Sequence, residues 1–296
     1  MDSQTYISNH IQNGYDLVLG EDHRSISTTM NLIEDAVRDN PNQVKAIVLE
    51  LSPYVQEPLD RIGNDQMSRE NFILQARLNS EQEYLDLAGG LLERGRINQE
   101  QFDWYEDFIN VRVENIAARE FGYYTEEEYL QDQSAFGAVY DMALEAHENG
   151  IPVIANNHGR ERAVLSDLND LTVDDWVEYT GDRLDFEDVS SRIDINAPGS
   201  VLVHRGAQHM FNIDGPDHQE GFDDLLEQSG RNVRTIGVYD SHETLASIDP
   251  MTAEMGLQIS DPSDIVIIGG DLQTGNEIDL PQIPAPSTLS PMLPKL

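Results

Sequence analysis

Short aliphatic runs recur along the chain, each closed by turn-forming or charged residues. They are DLVLG (16–20), KAIVLEL (45–51), IPVIA (151–155), SVLVHRG (200–206), RTIGVY (234–239) and DIVII (264–268). The runs are continuous rather than alternating, which predicts strands covered on both faces, as in a parallel sheet. A helical pattern from Thr28 to Asp39, ended by Asn40-Pro41, joins the first two into a βαβ unit. From Glu57 to Asn149 the pattern turns helical, with candidate helices at 69–78, 81–94, 99–121 and 125–149 and with Gly89-Gly90, Gly95 and Gly122 as punctuation. Further helices are expected at about 160–170, 174–193 and 219–229.

The expected fold is therefore α/β: a mainly parallel central sheet flanked by helices, with a long helical insert (57–149) between the second and third strands. The insert reads as a subdomain or lid over one end of the sheet, the alternative being a long crossover. Residues 1–275 read as a single α/β domain. Residues 276–296 hold five prolines from Pro281 on and read as an extended or disordered tail. No internal repeat is present.

Composition narrows the function classes. No apolar stretch approaches the 18 or so residues of a membrane span. Met1 to Gly14 has neither a basic region nor an apolar core, so a cytoplasmic location is expected, the alternative being export without an N-terminal signal peptide. The absence of cysteine excludes disulfides, thiolate metal sites and a cysteine nucleophile. Acidic residues outnumber basic ones 55 to 18, a formal charge of −37, and only Lys45 and Lys295 are lysines. Such a field repels phosphate backbones and argues against nucleic acid as a partner. The acidity fits either adaptation to high salt, where screening removes self-repulsion, or an ordinary solvated acidic surface.

In open α/β sheets, ligands bind outside the carboxyl ends of the strands. Here those ends carry Glu21, Asp22 and His23 after the first strand, with Gly20 allowing a tight turn, and Glu50 after the second. The third leads into Asn156-Asn157-His158. The fourth brings Arg205, Gln208 and His209, and the fifth Asp240 and His242. Four of the eight histidines (His23, His158, His209 and His242) fall at such positions. Imidazoles and carboxylates in one crevice can perform acid–base chemistry or hold a divalent metal. Each has a plainer reading. Glu50 also suits a turn cap, His204 reads as a packed strand residue, and His10, His147, His218 and His242 read as surface groups.

Three motifs, LVLGEDHRS, AIVLEL and VLVHRGAQHM, resemble the superfamily that contains the erythromycin esterases, the haem-binding ChaN-like proteins and the TraB/TIKI proteins. The shared pattern is a strand ending in Gly-Glu-x-His, a second ending in Glu, and a late strand ending in Gly-Ala-x-His. Gly20 to His23, Glu50 and Gly206 to His209 fit it in order, and the resemblance covers roughly residues 14–55 and 180–240. It implies a hydrolase of a small-molecule or peptide ester or amide, in which His23 takes a proton from water and Glu21 and Glu50 orient it. His209 would stabilise the oxyanion or protonate the leaving group. It also implies substrate-binding roles for Arg183 or Arg205, and His158 joins them by its place at a strand end. In a metal-dependent variant His23, Glu50 and His209 would be ligands to zinc, manganese or iron. The alternatives are a haem-binding protein, with Tyr54, Tyr123 or Tyr124 available as an axial ligand, and a toxin-associated module with a related pocket.

Overall fold

A computed structural model describes residues 2–21, 25–64, 66–157, 161–168, 181–206, 221–241 and 265–274. The chain is α/β, built on a seven-stranded sheet: β1 (Asp16–Glu21), β2 (Val44–Leu49), β3 (Val153–Ala155), β4 (Ser200–Gly206), β5 (Val233–Tyr239), β6 (Ile265–Ile268) and β7 (Asp271–Thr274). The order is β3-β2-β4-β1-β5-β6-β7, and every pairing is parallel except β6 with β7. All six aliphatic runs become strands. The seventh strand was not expected from the sequence.

The helices are α1 (Ser3–Gln12), α2 (Ile26–Asp39), α3 (Gln56–Ile62), α4 (Arg69–Glu93), α5 (Gln99–Ala118), α6 (Glu126–Glu148), α7 (Glu161–Asp167), α8 (Gly181–Arg192) and α9 (Phe222–Gln228). Alternate strand residues face opposite sides of the sheet, and two cores result. On one face Leu17, Leu19, Ile47, Leu49 and Leu202 pack with α1, α2, α3 and α6 through Ile7, Met30, Leu59 and Met142. On the other, Val18, Val48, Ile154 and Val203 pack with α8 and α9 through Val189, Phe222 and Leu226. Each such side chain contributes about 1.5–3 kcal/mol on burial.

The stretch between β2 and β3 is not set apart from the sheet. Its last helix, α6, packs against α2 and belongs to the layer on the first face. The α4–α5 pair has a core of its own, around Ala88, Leu91, Tyr105 and Ile109, joined by Val164 and Leu165 of α7. Capping boxes fix the starts of α5 (Asn98 with Gln101) and α6 (Thr125 with Glu128). The expected break at 78–81 is absent, and Gly89-Gly90 lies inside α4. A Cβ at Gly89 would stand 3.9 Å from Phe102 of α5, an ordinary contact, so the packing of the two helices leaves room for a small side chain there.

At the amino ends of the strands one ion pair gathers several loops. Asp16, fully buried, accepts Nε and Nη2 of Arg231 at 2.7 and 2.6 Å and the backbone N–H of Val201 at 2.8 Å. Arg231 also donates to the carbonyls of Ile195, Ala197 and Gly199. Among the described residues no helix is long and apolar enough to cross a membrane. The proline-rich tail lies outside the described residues.

Candidate functional site

Strand β4 lies between β2 and β1, so its end is flanked by the ends of both. Glu21 pairs in register with Gly206, and Gly20 with both Arg205 and Gly237. Gly20 is thus a paired strand residue rather than a turn, and β1 runs on through Glu21. Gly20 and Gly237 place no side chain beside Arg205 on the α8–α9 face. The ring of Tyr239 folds back over Gly237, where a Cβ would stand 2.9 Å from its edge.

Glu21 shares a face with Leu17 and Leu19, and His204 shares that face with Leu202. The two side chains meet there, Nε2 of His204 lying 3.1 Å from Oε1 of Glu21 with both groups buried. A carboxylate in such a place needs a donor, and with Glu21 ionised the imidazole Nε2–H supplies one. Nδ1 of His204 is buried without a hydrogen-bond partner. His204 is packed, as its strand position suggested, but it is packed against the acid of the Gly-Glu-x-His motif. The other carboxylate, Glu50, extends the β2–β4 pairing: its N–H donates to His204 O at 3.1 Å, and its side chain accepts the N–H of Gly206.

On the opposite face Arg205 is 1% exposed. Its guanidinium donates to Asn156 O and, at 2.7 Å, to Asn156 Oδ1; it pairs with Asp185 of α8 at 3.1 Å and stands 4.7 Å from the centre of the Phe222 ring. Asn156 in turn donates to Asp188 at 3.0 Å, and Asp188 pairs with Arg192. Arg205 thus ties the ends of β3 and β4 to α8. A group so fully enclosed positions its neighbours, and a substrate would not reach it without displacing them. Arg183 is exposed near the start of α8, two residues before Asp185.

The segment 22–24 departs from Glu21 and rejoins the described chain at Ser25, and both points are fixed. Ser25 is buried and its hydroxyl accepts the N–H of Asp240 at 3.0 Å, while Thr28 donates to the Asp240 carboxylate at 2.5 Å. His23, His158, His209, His218 and His242 lie outside the described residues. Two histidines expected on the surface are half-buried, each with a packed partner. His10 lies between Tyr6, tilted against it, and Tyr15, edge-on to it, and His147 sets Nε2 3.1 Å from the Leu59 carbonyl.

Sequence reasoning gave no role to Asp185, Asp188 or Asp223. Asp223, in the first turn of α9, accepts the Thr235 hydroxyl at 3.2 Å. Burial, with the neighbouring Asp224 charge, pushes its carboxyl up to about 6. Among the described residues no three His, Asp or Glu side chains group closely enough to hold a metal ion. Of the tyrosines considered for haem, Tyr54 donates to Asp86 at 2.6 Å, Tyr124 donates to Asp132 at 2.8 Å, and Tyr123 is exposed. No protein-family model, curated protein or solved structure matches the chain.

Proposed function

We propose that the protein is a hydrolase of the kind the three motifs suggest, activating water at the carboxyl ends of β1, β2 and β4 to cleave an ester or amide in a small molecule or peptide. The observation that carries this reading is the pair of carboxylates bracketing the end of β4. Glu21 is held by His204, Glu50 is held by the Gly206 N–H, and Glu21 and Gly206 are register partners. His23 is two residues along the chain from Glu21, and His209 three from Gly206. Both motif histidines therefore belong to segments that leave from adjacent strand ends.

In this reading His23 takes the proton from water, Glu21 and Glu50 orient it, and His209 stabilises the oxyanion. Arg205 keeps the β3, β4 and α8 ends in place, and Arg183 and His158 are left for substrate. Where a divalent zinc, manganese or iron is used, His23, Glu50 and His209 would hold it, and the ion would supply an acidified water. The α4–α5 pair supports a shading role over this edge of the sheet. Tyr54, just past β2, is bonded to α4 at both ends: its carbonyl accepts Asn79 Nδ2 at 2.7 Å and its hydroxyl donates to Asp86.

The test is a panel of esters, lactones and amides run beside elemental analysis and an absorbance spectrum of protein purified without chelators. His23→Ala should abolish turnover with the melting temperature nearly unchanged. A wild-type chain that folds and turns over nothing on the panel, or a His23→Ala variant as active as wild type, would defeat the reading.

A further inference from the structure

A cavity of about 320 Å³ opens where α4 begins, α5 ends and α6 begins, and it shares no residue with the strand-end site. Its volume falls in the range of small-molecule sites. Ile73 and Ile116 are its buried apolar walls and Tyr124 and Tyr129 its aromatic ones. Its charged lining is Arg69, Arg77 and Arg119 against the single acid Glu70. Over the whole chain acids outnumber bases 55 to 18. Here the ratio is reversed.

We propose that this cavity binds a small organic anion, an acid group on an apolar or aromatic body. Two backbone features support it independently of the charge count. Arg119 is the sole non-glycine residue with positive φ (56°) among those described, and it sits at the end of α5, where glycine is the favoured residue. The chain accepts left-handed strain at the position that carries a guanidinium to the cavity mouth. Gly137, inside α6, is the second. A Cβ there would stand 2.0 Å from Nη2 of Arg69, so the missing side chain is the slot in which that guanidinium lies. Glycine in a helix interior is itself unfavourable.

The present partners of the two mouth arginines are exposed and weakly held. Arg69 faces Asp141 at 3.4 Å and Arg119 faces Glu70, with every side chain in both pairs about half exposed or more. Pairs of that kind contribute little and exchange readily for a ligand acid. Arg77 is committed: it pairs with buried Glu81 at 2.7 Å, faces Glu128 and Asp132 at 3.8 and 3.7 Å, and lies over the Tyr124 ring. Those carboxylates neutralise its charge, which leaves Arg69 and Arg119 to receive the ligand's acid group. The apolar walls select a ligand with a hydrocarbon body over a bare inorganic anion.

The test uses the full chain and three probes followed by ligand-observed NMR and calorimetry: phenylacetate, benzylamine and inorganic phosphate. Phenylacetate should bind saturably in the low-millimolar range or below. Benzylamine, the same body with the opposite charge, should not bind, and phosphate, which buries no hydrocarbon, should bind at least about tenfold more weakly. Arg119→Gly relieves backbone strain and Gly137→Ala favours the helix, so neither should lower the melting temperature. Each should weaken phenylacetate binding about tenfold. Benzylamine binding as well as phenylacetate, no saturable phenylacetate binding, or full affinity in both variants would overturn the proposal.

Discussion

Asp223→Asn should stabilise the protein at neutral pH and do nothing at pH 4. The carboxyl rises from an ordinary 3.8 to about 6, first because it is buried and then because Asp224 repels its charge. The start of α9 favours a negative charge by only about 0.3–1 kcal/mol, and burial wins. A raised carboxyl means that the folded chain holds this proton between roughly pH 4 and pH 6 while the unfolded chain has lost it. Stability from this group therefore falls as pH rises through that window and is flat on either side. Two units correspond to about 3 kcal/mol, so Asp223→Asn, which keeps an acceptor for Thr235, should recover about 2–3 kcal/mol at pH 7. Urea unfolding of wild type and variant at pH 4, 5, 6 and 7 measures the difference. Glu227→Gln, an exposed acid on the same helix, corrects for the general benefit of removing one negative charge from so acidic a chain. A gain for Asp223→Asn that is the same at pH 4 and pH 7, or no larger than that of Glu227→Gln, would refute the reasoning.

Asp185→Ala should cost about 3–5 kcal/mol by urea unfolding, because it leaves the Arg205 guanidinium buried without its carboxylate. The double variant Arg205→Met/Asp185→Leu should recover a substantial part of that loss, and an Asp185→Ala cost under about 1 kcal/mol would contradict the positioning role given to Arg205. Raising sodium or potassium chloride from 0.15 M to 1 M shortens the screening length from about 8 Å to about 3 Å. The melting temperature should climb with it if the charge of −37 is adapted to salt, and a flat profile leaves only an acidic surface.

The strands were legible because parallel, doubly covered strands must be continuously apolar, and six runs are. What was missed had weaker local signals. In β7 only Leu272 is aliphatic, and the strand forms by folding back on β6 through Gly269 and Gly270, both at positive φ (57° and 88°). That glycine pair between Ile268 and Asp271 was the available hairpin signal. Helix α1 buries little beyond Ile7 and Ile11, a spacing too sparse to stand out, although Asp2 caps it through the Thr5 N–H. Glu21 and Glu50 could be found because strand ends are visible in sequence. Asp185 could not, since nothing local marks a helical carboxylate that meets an arginine across the fold. His204 and Arg205 did carry a signal: two polar groups inside an otherwise aliphatic strand require buried partners, and Glu21, Asn156 and Asp185 are those partners.

The pair between Asp16 and Arg231 also bears on the order in which the fold is assembled and lost. The two residues are 215 positions apart, so their contact closes one of the longest loops in the chain. The local helical hairpins and the β1–α2–β2 unit can form before it, and it is made only once β4 and β5 have docked on either side of β1. A contact of so long a range is costly to close early, so it is expected to form after the folding barrier and to be present throughout the native state. Weakening it should leave the refolding rate nearly untouched and be felt in how fast the native chain opens. On that argument the clasp, at the opposite end of the sheet from the proposed site, is expected to act chiefly as a brake on unfolding.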